Sequence, residues 1–271
     1  MVIYKKHNKH RGGRTVATEP SITIINYDGH NPYFNREIWD AHGSPTKLAL
    51  GDGWTSIDDF TFMDTNIEKI KIPTSITYIG NSAFENTQKL NEVIFNQGSQ
   101  LETIGEAVFK NAKALTTIDI PNRIETIPFS AFERAKTLSY INIDSEHSQL
   151  KNIEAGAFNY TNLYSIKLPK SIQRIGTYVF FENNNLREIY IYRDTLARLN
   201  RNEFITEATF GLNEFDDNNM FYGLNHPVNI IELDNLQGGR RKSYLKTRKS
   251  KLHNRRTYKN KSRRRRTIKH K

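Results

Sequence analysis

The apolar positions of the chain fall into a repeating unit. Six phenylalanines, Phe62, Phe84, Phe109, Phe132, Phe158 and Phe180, follow one another at spacings of 22, 25, 23, 26 and 22 residues. An isoleucine precedes each by five positions (Ile57, Ile79, Ile104, Ile127, Ile153 and Ile175), and an apolar triplet of the form L-x-x-I-x-I follows it. The triplets are Ile67/Ile70/Ile72, Leu90/Val93/Phe95, Leu115/Ile118/Ile120, Leu138/Ile141/Ile143, Leu163/Ile166/Leu168 and Leu186/Ile189/Ile191. Their last two members are two residues apart, the period of a pleated strand, and β-branched isoleucine suits that surface. Pro73, Pro121 and Pro169 stand at strand exits, where a missing N–H does no harm. Where no proline follows, after Phe95 and Ile143, the connection is longer, which accounts for the uneven spacing. One such unit cannot bury its own apolar face, whereas stacked units share a continuous core. The pattern predicts a β-rich solenoid of about six repeats, with short parallel strands and the phenylalanines pointing inward.

Between strand and phenylalanine, Gly80, Gly105 and Gly176 follow isoleucine and predict a tight turn, while Ala83, Ala107, Ala131 and Ala157 keep the coil narrow. The segments IPTSITYIGNSAFEN (72–86) and LPKSIQRIGTYVF (168–180) resemble the BspA-type, or Treponema pallidum-type, leucine-rich repeat. That resemblance implies a horseshoe or superhelix used for protein and surface recognition, without catalysis. Members often carry cysteine three residues after the phenylalanine; here those positions are Thr65, Thr87, Ala112, Ala135, Thr161 and Asn183. A short array ending in a basic tail is also similar to leucine-rich repeat proteins of giant nucleocytoplasmic DNA viruses.

The flanks divide the rest of the chain. Residues 1–19 read as a basic flexible N-terminus, and 20–52 as an N-terminal cap with a strand over 22–26 and Tyr33, Phe34 and Trp39 as apolar cover. The repeats occupy 53–192. Residues 193–237 read as a C-terminal cap or degenerate repeat, with a short helix over 196–204 and a last strand over 228–233. Phe210, Phe215, Met220, Phe221 and Tyr222 either close its core or form a binding patch. Residues 238–271 read as a disordered tail, because isolated apolar residues among repelling charges cannot offset the entropy of folding.

Charge sharpens that division. The chain of 271 residues is 37% hydrophobic, enough for a core, and its net charge is +11. Seventeen lysines and arginines lie between Arg240 and Lys271 with no acid among them, whereas residues 15–239 hold 18 bases against all 29 acids. An acidic body thus carries a cationic tail. The absence of cysteine excludes disulfides, thiolate metal sites and cysteine nucleophiles. No run of eighteen apolar residues occurs, and the basic start lacks an apolar stretch behind it. These features predict an intracellular protein, cytoplasmic or nuclear, with the virion as a further location if the source is viral.

Little in the sequence points to chemistry. His7 and His10 have a metal-like gap but sit among five positive charges. Asp58-Asp59 and Asp216-Asp217 are adjacent, so on a strand their carboxylates point apart. No nucleophile elbow or nucleotide-binding loop occurs, and neither an enzyme nor a cofactor is expected. The strand positions pointing away from the core form two columns on the presumed concave face. One is Lys69, Glu92, Thr117, Tyr140, Ser165 and Glu188; the other is Lys71, Ile94, Asp119, Asn142, Lys167 and Tyr190. Mixed charge interleaved with tyrosine is the composition of a protein-binding surface, or simply of a soluble one. In the tail, Arg240, Arg241, Lys242, Arg255, Arg256, Arg263, Arg264, Arg265 and Arg266 suit nucleic acid or another polyanion, or nuclear import, or contact with the acidic body.

Overall fold

A computed structural model of the chain describes residues 21–201 and 228–233. The expectations for the N-terminus, for the aromatic cluster at 210–222 and for the tail lie outside the described residues. Within them the chain winds into a parallel β-solenoid of about seven turns. One side carries the longer strands: β1 (Thr23–Ile25), β3 (Lys47–Leu50), β5 (Lys69–Ile72), β7 (Glu92–Phe95), β9 (Thr117–Ile120), β11 (Tyr140–Ile143), β13 (Ser165–Lys167), β15 (Glu188–Tyr192) and β16 (Asn229–Leu233). A second side carries two-residue strands: β2 (Tyr33–Phe34), β4 (Ser56–Ile57), β6 (Tyr78–Ile79), β8 (Thr103–Ile104), β10 (Thr126–Ile127), β12 (Asn152–Ile153) and β14 (Arg174–Ile175). Strands pair in parallel with a counterpart one coil away, so equivalent residues stack in columns, and the long-strand ladder breaks between β7 and β9 and between β11 and β13. The helices are α1 (Arg36–Ala41) and α2 (Arg193–Arg201).

The phenylalanines are the spine of the core. All six lie at 1% exposure or less, and consecutive rings stack at centroid distances of 5.0 to 5.9 Å. Their turns form a ladder of their own, since the N–H of each from Phe62 to Phe158 donates to a carbonyl of the next coil at 2.8 to 3.0 Å. Reaching that geometry takes a left-handed residue on both sides. Two positions before each phenylalanine lie Phe60, Ser82, Ala107, Ser130, Gly156 and Tyr178, and two after lie Asp64, Asn86, Asn111, Arg134, Tyr160 and Glu182, all with φ between 50° and 65°. Left-handed backbone costs a non-glycine residue roughly 1–2 kcal/mol, so the turn ladder and the ring stack must outweigh that strain. Ala107 is therefore a turn residue, and the buried narrow position that Ala83, Ala131 and Ala157 fill is held in its coil by Val108.

Three residues after each phenylalanine the side chain is small and buried: Thr65, Thr87, Ala112, Ala135, Thr161 or Asn183. The threonines solve their polarity locally, each hydroxyl donating to the phenylalanine carbonyl at 2.7 to 2.9 Å. The Ile-Gly glycines have a different reason from the tight turn expected of them. A Cβ at Gly105 would sit 2.4 Å from the Asn81 backbone nitrogen, and those at Gly80 and Gly176 would approach the preceding coil at 2.4 and 2.5 Å. Close coil-to-coil approach excludes a side chain there.

Residues 21–52 carry a coil of the same kind. Phe34 pairs with Ile57 in the isoleucine column and stacks on Phe62 at 5.9 Å, and Trp39, five residues later, meets Phe62 edge-on at 5.6 Å. The expected N-terminal strand is present as β1, and Asn35 caps α1 by accepting from the Ile38 N–H. At the other end α2 begins at Arg193, three residues before the expected start, with Asp194 in its first turn and Leu199 fully buried. The expected last strand is β16, parallel to β15.

The ladder of short strands is interrupted once, between β8 and β10. In other coils the residue after the short strand donates its N–H to the isoleucine or phenylalanine carbonyl of the coil before, as Gly105 does to Ile79 and Glu154 to Ile127. In this coil that residue is Pro128, which has no N–H. The coils part there, leaving a cleft of about 750 Å³ lined by residues that include Glu102, Ile104, Glu125, Thr126 and Pro128.

Candidate protein-interaction face

The long strands alternate, one side chain entering the core and the next leaving it, as in the buried and exposed positions of β9 and β11. The predicted outward residues are brought into register. Lys69 lies beside Glu92, Thr117 beside Tyr140 and Ser165 beside Glu188 in one column. Lys71 beside Ile94, Asp119 beside Asn142 and Lys167 beside Tyr190 make the second.

Several of these side chains spend their polarity on one another. The Lys69 ammonium is 2.6 Å from the Glu92 carboxylate, the Asn142 amide donates to Asp119 at 2.9 Å, and the Tyr190 hydroxyl donates to Glu188 at 2.7 Å. The last bond raises the Tyr190 pKa above its ordinary value, because the phenolate would face a carboxylate. Ile94 and Tyr190 are half-buried, whereas Tyr140 is 53% exposed.

Tyr164 belongs to the same surface and lies outside both predicted columns. It is 52% exposed and occupies the first variable position of its L-x-x-I motif, a third outward column shared with Thr116 and Ser139. Reading both variable positions of the motif would have found it. At the C-terminal end of the face Tyr192 is buried, its hydroxyl donating to the Glu146 carboxylate and lying 3.3 Å from the Ser145 hydroxyl, both on the loop after β11. Lys170 pairs with Glu146 at 2.6 Å and lies 4.8 Å from the Tyr192 ring centroid. Glu146 is thereby held below the usual carboxylate range, chiefly by Lys170 and then by Tyr192, and burial pushes the Tyr192 phenol up. Those 46 residues of separation left no local sequence signal.

Among the described residues no group of three or more histidine, aspartate or glutamate side chains is placed to hold a metal ion, and no helix is long and apolar enough to cross a membrane. The arrangement offers contact area: exposed rings and paired charges on parallel strands stacked coil on coil. The basic positions Arg240, Arg241, Lys242, Arg255, Arg256 and 263–266 lie outside the described residues.

Residues 55–187 match the BspA type leucine rich repeat region, in six copies. No curated protein matches the chain. Among solved structures it is similar to a leucine-rich repeat protein of T. pallidum, at 21% identity over 67% of this chain and 91% of that one, with a TM-score of 0.47. A leucine-rich cell surface protein from Faecalibacterium prausnitzii is 22% identical over 63% of this chain and 50% of that one, with a TM-score of 0.41. A leucine-rich repeat protein from Bacteroides ovatus is 18% identical over 62% of this chain and 46% of that one, with a TM-score of 0.48. The match spans about half the length of the latter two proteins.

Proposed function

From the premise that residues 55–187 belong to the BspA type leucine-rich repeat family, we propose that the chain is a non-catalytic interaction module whose long-strand side recognises a protein. The observation that carries this reading is that Tyr140, Tyr164 and Tyr190 lie on three consecutive coils of the long-strand side, two of them about half exposed. Tyrosine supplies large contact area with little entropy to lose, and it is enriched where interfaces concentrate their binding energy. Asp119, Asn142, Lys167 and Glu188 around the rings supply a polar rim, and Lys69, Lys71, Glu92, Ile94, Thr117 and Ser165 extend the surface along the stack. In this proposal the site of action is intracellular, cytoplasmic or nuclear, and residues 240–271 deliver the module by nuclear import or polyanion contact. The likeness to giant-virus repeat proteins stays part of the same proposal. The test is affinity capture with the parent and a Tyr140→Ser/Tyr164→Ser/Tyr190→Ser variant. Loss of the captured protein in the variant, with retention after deletion of 240–271, supports the reading; the reverse pattern sinks it.

A second reading rests on the seventeen lysines and arginines without an acid in 240–271. There the tail binds nucleic acid and the solenoid is the adaptor. Its signature is a steep salt dependence, roughly −0.7 to −0.9 in log K per log salt for each phosphate contact, that vanishes when the tail is removed and is indifferent to the three tyrosines.

A further inference from the structure

A second surface lies just after the short strands. The three positions that follow each of them from β4 to β14 form a strip along the stack, which holds the carboxylates of Asp58, Asp59, Glu106 and Glu154 and the rings of Phe60 and Phe129. None of these positions is lysine or arginine. Hydrogen bonds join the strip from coil to coil. The Asn81 N–H donates to Asp59 at 2.7 Å, the Glu106 N–H to the Asn81 side chain at 2.9 Å, the Ala107 N–H to the Phe129 carbonyl at 3.0 Å, and the Phe129 N–H to Glu154 at 3.1 Å.

Neither ring belongs to the buried core. Phe60 and Phe129 are 53% and 50% exposed, and Phe60 holds φ 57°, at a position that serine, alanine or glycine fills in the next four coils. An exposed phenylalanine in left-handed backbone gains little from burial and adds strain. Nor are the carboxylates neutralised: among the described residues none of the four has a cationic side chain within 4 Å, whereas neighbouring Glu102 and Glu125 pair with Arg123 and Lys151 at 2.6 Å. Tyr78, beside the strip, has its pKa raised by partial burial and by the field of Asp59 and Asp58.

We infer that this strip is the docking surface for the chain's own residues 240–271. Guanidinium groups stack on aromatic faces and pair with carboxylates through two hydrogen bonds at once, so alternating rings and acids without cations are the complement of an arginine-rich segment. That segment carries seventeen lysines and arginines and no acid. Its reach suffices. Leu233 ends β16, and the residues from there to Arg240 span up to ~25 Å at ~3.3–3.6 Å each. Glu154 lies about three rungs along the stack from β16, ~15 Å along the axis at ~4.8 Å per rung, and on the neighbouring side of the coil; the 32 residues of the segment itself supply the rest of the path. Docking there leaves the long-strand face open, so the inference stands whether or not that face binds a protein. It holds the segment's charge against the body at low salt, and salt or a competing polyanion releases it.

The test uses the full-length protein, an equal mixture of unlabelled and nitrogen-15-labelled chains, and a carbodiimide that couples lysine to touching carboxylates. The expected result is coupling of tail lysines such as Lys242 and Lys249 to Asp58, Asp59, Glu106 or Glu154 within one molecule, falling several-fold at high salt. Coupling spread equally over Glu92, Asp119 and Glu188, coupling only between differently labelled chains, or no coupling of tail lysines overturns it. A Phe60→Ser/Phe129→Ser variant changes exposed rings without changing charge. Its affinity for mixed-sequence DNA at low salt rises several-fold if the rings hold the tail, and an affinity equal to the parent's also overturns the inference.

Discussion

Replacing Phe109 with alanine removes the central rung of the ring stack. Phe109 is 1% exposed and lies 5.1 Å from the Phe84 centroid and 5.4 Å from that of Phe132. Lost burial accounts for roughly 1.5–3 kcal/mol, and two stacked partners for about 0.5–1.5 kcal/mol each. The sum agrees with the ~3–5 kcal/mol found for truncating core phenylalanines. Phe129→Ala is the matched control, because that ring is half exposed and outside the stack, and it is expected within ~0.5 kcal/mol of the parent. Urea denaturation followed by circular dichroism reads the difference. With a slope of about 2 kcal/mol/M, the Phe109→Ala midpoint falls by roughly 1.5–2.5 M while that of Phe129→Ala hardly moves. Equal midpoints for Phe109→Ala and the parent, or equal losses in the two variants, would refute the inward stack.

Other outcomes follow from the turns and the loop after β11. Ala107→Gly, at φ 53° and with only a methyl to lose, is expected to raise stability by about 0.5–1 kcal/mol despite the looser unfolded chain; a lower melting temperature contradicts it. Gly105→Ala places a methyl 2.4 Å from the Asn81 nitrogen and is expected to cost more than ~2 kcal/mol in the same denaturation assay. Asp144 is lowered to about 2, first by the Glu146 N–H and then by the His147 side chain. Its stabilisation of the loop is therefore complete above pH ~4 and lost as pH falls through about 2; protection of the Glu146 and His147 amides, taken relative to the intrinsic exchange rate at each pH, should fall over that window and be reduced above it in Asp144→Asn.

The strand and phenylalanine columns were legible because six copies repeat one period, so that each coil corrects the reading of its neighbours. The coil at 21–52 was not, although Phe34 and Trp39 keep the five-residue spacing, because both bulky residues stand in for different ones and the helix α1 replaces the turn. Glycine composition pointed to Gly80, Gly105 and Gly176, but only coordinates separate a turn requirement from the close approach of backbones that decides them. Tyr164 was within reach of the motif, one variable position away from the column chosen. The contact of Tyr192 with Glu146 and the cleft beside Pro128 were beyond it, since each depends on which coils meet. The acid-aromatic strip had its residues in plain view, yet Asp58-Asp59 read as a solvated pair until the stack placed Glu106, Phe129 and Glu154 along the same line.

The central claim is that recognition belongs to the long-strand face. Its most direct measurement is parallel capture from nuclease-treated extract with three full-length proteins: the parent, Tyr140→Ser/Tyr164→Ser/Tyr190→Ser, and a form with Arg263, Arg264, Arg265 and Arg266 changed to serine. The expected result is a protein retained by the parent and the tail variant and lost from the tyrosine variant, with all three melting alike. Retention by the tyrosine variant and loss from the tail variant would contradict it and move recognition to the basic segment.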